Sequence, residues 1–441
     1  MIRLHPIPDV VHHCPFDNAG LEAVGWHIPG MRNLADLRCP ACGREFYGDL
    51  RAGQALYTPL LLEKKTGEVY DPHDVEWFAD WLRRSYADRS DEFPGFEAEE
   101  FRPLKTPLLL NCLDTLYGHS LLKLLNAQYY IDHTPGYDLI VLIPRFLRWM
   151  VPDGVAGVWT VDLSLKRGTI WNDRLAAEVK TRLERYDQVW LSVAYSHPHP
   201  RQYAIERFTR VRPFPVGEWC DQLATPRVTF IWREDRFWGG EGRLGRLRNL
   251  AGRIAARCGF RGVSLPRREQ TRRVIRLATR LRRAFPRLDF AVAGPGRPGG
   301  LPGWIEDART EAIDASVEKG WCERYAASHI VVGMHGSNML LPSAHAGATL
   351  ELMPQERWGN VIQDLLIPEL DCREALFRYR VIPDAAGVVE VACIVTSLLM
   401  DSWARELNMD LEAVAHDAGR NASLSRKRAA LLKQRSEAIR R

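Results

Sequence analysis

Short apolar runs alternate with segments of helical periodicity from about residue 104 onward. In the first part of this stretch, apolar runs bounded by turn residues predict buried strands at Tyr137–Pro144, Gly157–Asp162 and Gln188–Tyr195. The segments with helical patterns lie at Ser120–Tyr130 and Asn172–Tyr186. Strands and helices that alternate at this rhythm are typical of βαβ units, so the pattern predicts a parallel sheet.

A second series of the same kind follows a proline-rich segment, RPFPVGEW, which predicts a linker at Arg212–Trp219. Its predicted strands are Val228–Trp232, Leu288–Gly294, His329–Gly333 and Thr349–Met353, and its long Arg-rich helix is Gln270–Phe285. Ligands of such α/β units bind at the carboxyl ends of the strands. The sequence therefore predicts an α/β fold with two Rossmann-like domains that face a cleft.

The first 60 residues follow neither series and predict a small separate module. The run Cys39-Pro-Ala-Cys42-Gly has the spacing of a zinc knuckle, in which two thiolates hold one tetrahedral ion and the glycine permits the tight turn. Cys14 is the third candidate ligand, and we take His12 as the fourth ligand of a zinc-ribbon-like module. The alternatives to His12 are His13 and His27. Because only half of a four-cysteine pattern is present, the thiols are either a structural zinc site or free cysteines.

The predicted organisation has six parts. They are the module at 1–60, a helical connector at 61–103, a first Rossmann-like domain at 104–222, a second at 223–385, a C-terminal helix packing back on the core at 386–419, and a basic tail at 420–441. The connector contains apolar positions at helical spacing over Val75–Leu82.

Composition narrows the class of protein. The chain has 441 residues, of which 46% are hydrophobic and 26% charged, as in soluble globular proteins. It contains no uncharged apolar stretch of about 18 residues, and its start has no apolar core for a signal peptide. Nine cysteines, an odd and scattered set, argue against a secreted disulfide framework. We therefore expect a cytoplasmic protein.

Positive charge is concentrated in two segments. The tail Arg420–Arg441 carries eight Arg or Lys residues and one Glu, and the block Arg243–Arg287 carries fifteen Arg and one Glu. These segments are either solvated helix faces or contacts for an anionic membrane surface or substrate. Nucleic acid is disfavoured as the partner of the tail, since no aromatic residues interleave with its arginines.

The candidate chemistry is densest in VVGMHGSNMLLPSAHAGATLELMP, at Val331–Pro354. An apolar strand ends there in a His-Gly-Ser-Asn turn, and a helical run follows. Gly336 permits close backbone approach, and Ser337 or Asn338 is a suitable helix N-cap. A glycine turn that leads into a helix presents backbone N–H groups and a partial positive charge, which suits a phosphate.

This segment resembles the hallmark of glycosyltransferase family sixty-one, which includes plant xylan-decorating transferases and extracellular O-GlcNAc transferases. Members of that family read roughly A-x-x-V-V-G-x-H-G-A-G-L-x-N-x-L-F, followed by x-V-x-E-x-x-P. The chain keeps the apolar strand, His335-Gly336, Asn338, Leu340 and Glu351-x-x-Pro354. It differs in having Ser-Asn-Met in place of Ala-Gly-Leu and in the added Pro-Ser-Ala-His turn.

Two further segments carry the resemblance. The family has Tyr-x-His before an apolar helix of its acceptor domain, and this chain has Tyr117-Gly118-His119 before a leucine-rich run. The family often has an arginine after the first strand of its second half, with another soon after. Arg233 and Arg236 occupy these positions. Together the resemblance covers about Leu104 to Arg380.

The resemblance implies a GT-B fold and an inverting transfer from a nucleotide-sugar donor, with the first Rossmann-like domain for the acceptor and the second for the donor. The implied donor residues are Arg233, Arg236, His335, Gly336, Ser337, Asn338 and Glu351, the last accepting the ribose hydroxyls. Arginines and turn N–H groups can neutralise the charge that grows on the leaving diphosphate. We therefore expect no catalytic metal, and the sequence has no Asp-x-Asp.

His119 is the candidate base for the acceptor hydroxyl. Asp114 is either a fallback base or the group that orients His119. We expect the acceptor to be a glycan or a lipid-linked sugar in surface polysaccharide synthesis, with the basic tail near the inner membrane. The alternative is a degenerate, non-catalytic transferase that binds a glycan or nucleic acid.

Overall fold

The computed structural model describes residues 1–51, 59–92, 94–164, 171–219, 221–239, 265–367, 372–375 and 377–400. The chain divides into two compact units, residues 1–208 and 209–441. Both units are mixed α/β structures, and each contains a largely parallel six-stranded sheet.

The strands in chain order are β1 (Ile2–His5), β2 (Glu22–His27), β3 (Leu34–Arg38), β4 (Glu45–Asp49), β5 (Leu61–Glu63), β6 (Val69–Tyr70), β7 (Phe96–Glu100), β8 (Pro107–Asn111), β9 (Asp138–Pro144), β10 (Gly157–Val161), β11 (Val189–Leu191), β12 (Arg227–Ile231), β13 (Asp289–Pro295), β14 (Glu306–Thr310), β15 (Ile330–Met334), β16 (Thr349–Met353) and β17 (Tyr379–Pro383).

The α-helices are α1 (Glu76–Ala87), α2 (Tyr117–His133), α3 (Asp173–Leu183), α4 (Glu206–Thr209), α5 (Leu265–Ala284), α6 (Ala315–Ala327), α7 (Leu340–His345), α8 (Cys372–Ala375) and α9 (Val388–Met400). Among the helices described, none is both long and apolar enough to span a bilayer.

The first unit contains a six-stranded sheet in the order β1-β11-β8-β9-β10-β7. Its four middle strands are parallel. Three of them, β9, β10 and β11, are the apolar runs that the pattern predicts, because strands covered on both faces need apolar residues throughout. The two edge strands, β1 and β7, pair antiparallel with β11 and β10. Both edges come from residues before 104, which the sequence pattern assigned to other parts of the chain.

A second sheet of the first unit is the antiparallel meander β2-β3-β4-β5-β6. It extends to Tyr70, beyond the predicted end of the module at residue 60. Helix α1 packs on it through Phe78 and Leu82, which are buried. The meander also shares a core with the parallel sheet, since Trp26 and Phe46 belong to the same buried cluster as residues of β8–β10.

The second unit contains the sheet β14-β13-β12-β15-β16-β17, in which every neighbouring pair is parallel. Apolar faces of α5 and α9 join its core. The proline-rich segment predicted as a linker belongs to this core too, because Phe214 and Trp219 are buried in it. Helix α9 covers part of the predicted C-terminal helical segment, and the rest of that segment to 419 lies outside the described residues, as do the basic tail and residues 243–264 of the basic block.

Candidate active site

Three neighbouring strands of the second unit end at one edge of its sheet. Arg233 follows β12, His335 follows β15, and Glu351 lies within β16. These strands are adjacent and parallel in the order β12-β15-β16, so their carboxyl ends meet at the same edge. The structure thus brings together the residues that the sequence predicted for the donor.

Two guanidinium groups converge on one backbone carbonyl at this edge. Arg233 Nη1 donates to the carbonyl oxygen of His335 at 2.8 Å, and Arg236 Nη1 donates to the same oxygen at 2.6 Å. Arg233 also donates to Asn338 Oδ1 at 2.7 Å and to both carboxylate oxygens of Asp235. Positive charge is therefore concentrated at the start of the His-Gly-Ser-Asn turn.

The turn requires glycine at position 336. Gly336 has φ +143°, a backbone conformation that side chains rarely adopt. A Cβ there would also overlap the guanidinium of Arg233. The following residues form a 3-10 turn, Ser337–Met339, that leads directly into α7. Gly336 therefore allows Arg233 to lie against the backbone where the helical segment begins.

The imidazole of His335 lies between two carboxyl groups. Its Nδ1 is 3.3 Å from Glu351 Oε1, and its Nε2 is 3.0 Å from Asp364 Oδ2. The contact with Glu351 lacks the alignment of a hydrogen bond, and neither carboxyl oxygen of Glu351 has a hydrogen-bond partner among the described residues. Glu351 has no exposed surface.

Burial controls protonation in this group. It raises the pKa of Glu351 well above its ordinary value, and the nearby charge of Asp364 raises it further. Burial also lowers the pKa of His335, against the opposing effect of Asp364. At neutral pH the structure therefore favours an uncharged Glu351 and an uncharged imidazole, which can donate from Nε2 to Asp364.

The first unit holds a second histidine–carboxylate pair, just beyond the carboxyl end of β8. Asp114 Oδ1 is 3.3 Å from His119 Nδ1, in the first turn of α2. The other carboxylate oxygen, Oδ2, is 2.8 Å from the ammonium of Lys123, which also donates to the carbonyl of Leu113 at 2.9 Å. His119 has a side chain 32% exposed, whereas Lys123 has none of its surface exposed.

Lys123 determines the state of Asp114. Burial by itself would raise the pKa of Asp114, but the charge of Lys123, with the hydrogen bond and charge of His119, holds it well below its usual range. Asp114 is thus an ionised acceptor that fixes the Nδ1 side of His119 and leaves Nε2 for other contacts. Sequence analysis missed Lys123; its only signal is a lysine among the leucines of an apolar helix, SLLKLLN.

A third group of interest is in the N-terminal part of the first unit. Cys14, Asp17, Cys39 and Cys42 each offer a ligand atom, and these atoms all lie within 4.8 Å of one another. This group can hold a metal ion. It includes the three predicted cysteines and, in place of His12, the carboxylate of Asp17.

Comparisons with known proteins do not identify a family for this chain. No family model matches the chain, and no curated protein matches it. Among solved structures, it is similar to the E. coli ADP-heptose LPS heptosyltransferase II, with 11% sequence identity, a TM-score of 0.32, and coverage of 68% of this chain and 99% of that one. A likeness this slight supports no conclusion, so the function must be inferred from the residues themselves.

Proposed function

We propose that the protein is an inverting glycosyltransferase of GT-B type that moves a sugar from a nucleotide-sugar donor to a glycan or lipid-linked acceptor. The observation that carries the proposal is the pair of guanidinium groups, Arg233 and Arg236, gathered at the Gly336 turn. The resemblance of this turn and of Tyr117-Gly118-His119 to family sixty-one supports the same activity.

The second unit binds the donor in this proposal. Cleavage of the donor leaves a nucleoside diphosphate, so negative charge grows on the diphosphate oxygens in the transition state. In the proposed complex, Arg233 and Arg236 exchange the carbonyl of His335 for these more negative oxygens, and the N–H groups of Ser337 and Asn338 donate to the same diphosphate. Charge that is preorganised in this way stabilises the transition state more than the ground state.

His335 holds the turn in place for that task. Its carbonyl oxygen accepts hydrogen bonds from both arginines, and its ring lies between Glu351 and Asp364. Glu351 is fully buried beside this ring. The contact of Glu351 with the donor ribose, which the resemblance implies, stays a prediction.

The first unit supplies the base. His119 Nε2 accepts the proton of the acceptor hydroxyl as that oxygen bonds to the anomeric carbon. The ionised Asp114 orients the ring through Nδ1 and stabilises the imidazolium that forms, a division of labour seen in many histidine–aspartate pairs. Asp114 therefore orients the base, because its own carboxylate is paired with Lys123.

A thermal-shift screen against UDP-, GDP-, CMP- and dTDP-sugars tests the proposal. A ligand present at 100 times its dissociation constant stabilises the folded state by about 2.7 kcal/mol, which gives a clear shift. We expect one nucleotide class to shift the wild type and to shift Arg236→Ala much less. Absence of any shift, together with salt-dependent binding of RNA, would favour the degenerate binding module instead.

A further inference from the structure

The metal-ligating group of the first unit lies at the junction of two segments. Cys14 and Asp17 are in the segment between β1 and β2, and Cys39 and Cys42 are in the tight turn between β3 and β4. The three cysteines are free thiols rather than disulfide partners. The group is separate from the proposed active site and does not depend on the transferase activity.

Two distances within the group match the edges of a zinc tetrahedron. Zinc–sulfur bonds of about 2.3 Å and zinc–oxygen bonds of about 2.0 Å give edges of about 3.8 Å between two sulfurs and about 3.5 Å between sulfur and oxygen. The Sγ atoms of Cys14 and Cys42 are 3.7 Å apart, and Cys39 Sγ is 3.4 Å from Asp17 Oδ2. A separation of 3.7 Å is far too long for a disulfide.

The backbone already holds these side chains in a metal-binding arrangement. The amide of Cys42 donates to Cys39 Sγ at 3.4 Å, and the amide of Gly43 donates to the carbonyl of Cys39 at 3.0 Å. Gly43 has φ +72°, which closes the turn. On the other segment, Asp17 Oδ1 accepts from the amide of Ala19 at 3.0 Å, which aims Oδ2 at the thiols. Such contacts of the ligands with their surroundings orient them for the metal.

The three candidate histidines lie elsewhere. The ring of His12 is buried and packs against Gly48 of β4. His27 stacks on Tyr47 and lies 3.2 Å from Asp173. His13 is exposed, and among the described residues the metal-ligating group includes none of the three. The carboxylate of Asp17 therefore occupies the position for which the sequence suggested a histidine.

We propose that Cys14, Asp17, Cys39 and Cys42 bind one Zn²⁺ in a structural site. Three thiolates with one carboxylate suit a borderline-soft ion such as zinc, and four protein ligands leave no open position for a reacting molecule. The ion joins the β1–β2 segment to the β3–β4 hairpin. Cys14 and Cys39 are also part of the core that the meander shares with the parallel sheet. The zinc therefore supports the packing of the meander on that sheet.

Elemental analysis and chelator competition on the full chain test the site. We expect about one zinc per wild-type chain. Loss of groups that merely orient a ligand typically costs 10–100-fold in affinity, so Asp17→Asn, which removes a ligand, should weaken zinc binding at least about tenfold. Asp17→Glu keeps a carboxylate and should retain most of the affinity. His12→Asn and Asp9→Asn, a matched change at an exposed acid of the same segment, should leave zinc affinity unchanged.

Cobalt substitution identifies the ligands even if a variant loses stability. The Co²⁺ protein should show the visible bands of a tetrahedral site and charge-transfer bands from thiolates. Asp17→Asn should alter the visible bands and keep the thiolate bands, whereas His12→Asn should leave both unchanged. A wild type that purifies without zinc and gives no tetrahedral cobalt spectrum would overturn the proposal. Loss of affinity in His12→Asn but not in Asp17→Asn would overturn the assignment of the fourth ligand.

Discussion

Each unit carries a histidine beside a carboxyl group near the carboxyl edge of its parallel sheet, yet the two carboxyl groups are in opposite states. Asp114 is buried with Lys123 as a partner, and its pKa is held well below the usual range. Glu351 is buried, its carboxyl oxygens have no hydrogen-bond partner among the described residues, and burial raises its pKa well above the ordinary value. Burial alone therefore does not set protonation; a compensating charge within about 3 Å does.

In the proposed function, this difference suits the two histidines to different roles. The ionised Asp114 lies beside Nδ1 of His119 and leaves Nε2 of a side chain that is 32% exposed, an arrangement that suits a base. His335 lies instead between Glu351, whose pKa is raised by burial, and Asp364, and its side chain is only 2% exposed. We therefore assign proton transfer to the first unit and the positioning of a turn to the second.

Replacement of His119 should produce the largest effect. His119→Asn cannot take up the acceptor proton at neutral pH, so turnover should fall by roughly 10²–10⁴, the usual range for a lost general base. Donor affinity should stay near the wild-type value, since the base acts only in the transition state. Steady-state rates with the donor found by the screen check this, with the exposed His133→Asn on the same helix as control. Near-normal turnover in His119→Asn would make His119 a structural residue.

Lys123→Met should be the most damaging change to stability among those considered. It leaves the buried carboxylate of Asp114 without its partner, and breaking a buried pair in this way costs about 3–5 kcal/mol. Urea unfolding measures the loss, with Lys105→Met, at an exposed position, as control. Adding Asp114→Asn to Lys123→Met should restore part of the stability. A stable Lys123→Met protein would show that Asp114 is not ionised in the folded state.

Gly336→Ala should destabilise the second unit by about 1–3 kcal/mol, because it combines an unfavourable φ with an overlap on Arg233. The displaced guanidinium should also weaken nucleoside diphosphate binding. Gly359→Ala is a suitable control, since nothing lies within 4 Å of the added Cβ there. Thermal unfolding and ligand titration separate the two effects. If the two variants had the same stability and the same nucleotide affinity, the close approach of Arg233 at Gly336 would have no measurable role.

The pH dependence of stability tests the comparison directly. Asp114, with a lowered folded pKa, contributes stability that is present above its unfolded pKa of about 3.9 and is lost as the pH falls. Glu351, with a raised folded pKa, contributes stability that is full below about 4.3 and is lost as the pH rises toward the folded value.

Variants should therefore diverge from the wild type in opposite directions. Between pH 4 and 8, Glu351→Gln should gain stability relative to the wild type as pH rises, by about 1.4 kcal/mol for each unit by which the pKa of Glu351 is raised. Asp114→Asn should instead gain stability relative to the wild type as the pH falls below about 5, because the wild type loses the contribution of Asp114 there. Urea unfolding at several pH values measures both, with the exposed Glu311→Gln as control. The same sign in both variants would contradict the assigned states.

The parallel strands β9–β13, β15 and β16 were predictable because each lies in a short apolar run, and the edge strands were not. Strand β7, FEAEE, is polar and faces solvent along one side, so it has no apolar signature. Parallel strands place their carboxyl ends at one edge, which is why Arg233, His335 and Glu351 could be expected together. The parallel arrangement of the strands does not show which of these three residues a ligand can reach.

Three residues that tertiary packing brings into the candidate sites were not predicted from the sequence. Asp364 reaches His335 from a segment without a strand or helix pattern. Asp17 joins the thiols through a turn in which Ala19 holds its carboxylate, and an aspartate followed by asparagine and alanine is common in loops. The role of Lys123 as a buried ion-pair partner depends on Asp114, which lies beside it. Each depends on a contact between segments that periodicity does not encode.

The affinity of nucleoside diphosphates tests the central claim most directly. Calorimetric titration of the nucleotide found in the screen should give tight binding to the wild type and to His119→Asn. Arg236→Ala should bind about 10–100-fold more weakly, as expected for the loss of a charged hydrogen bond of about 1.5–3 kcal/mol, while the exposed Arg287→Ala should bind normally. An affinity in Arg236→Ala equal to that of the wild type, or no binding of any nucleoside diphosphate to the wild type, would contradict the assignment of the donor site to the second unit.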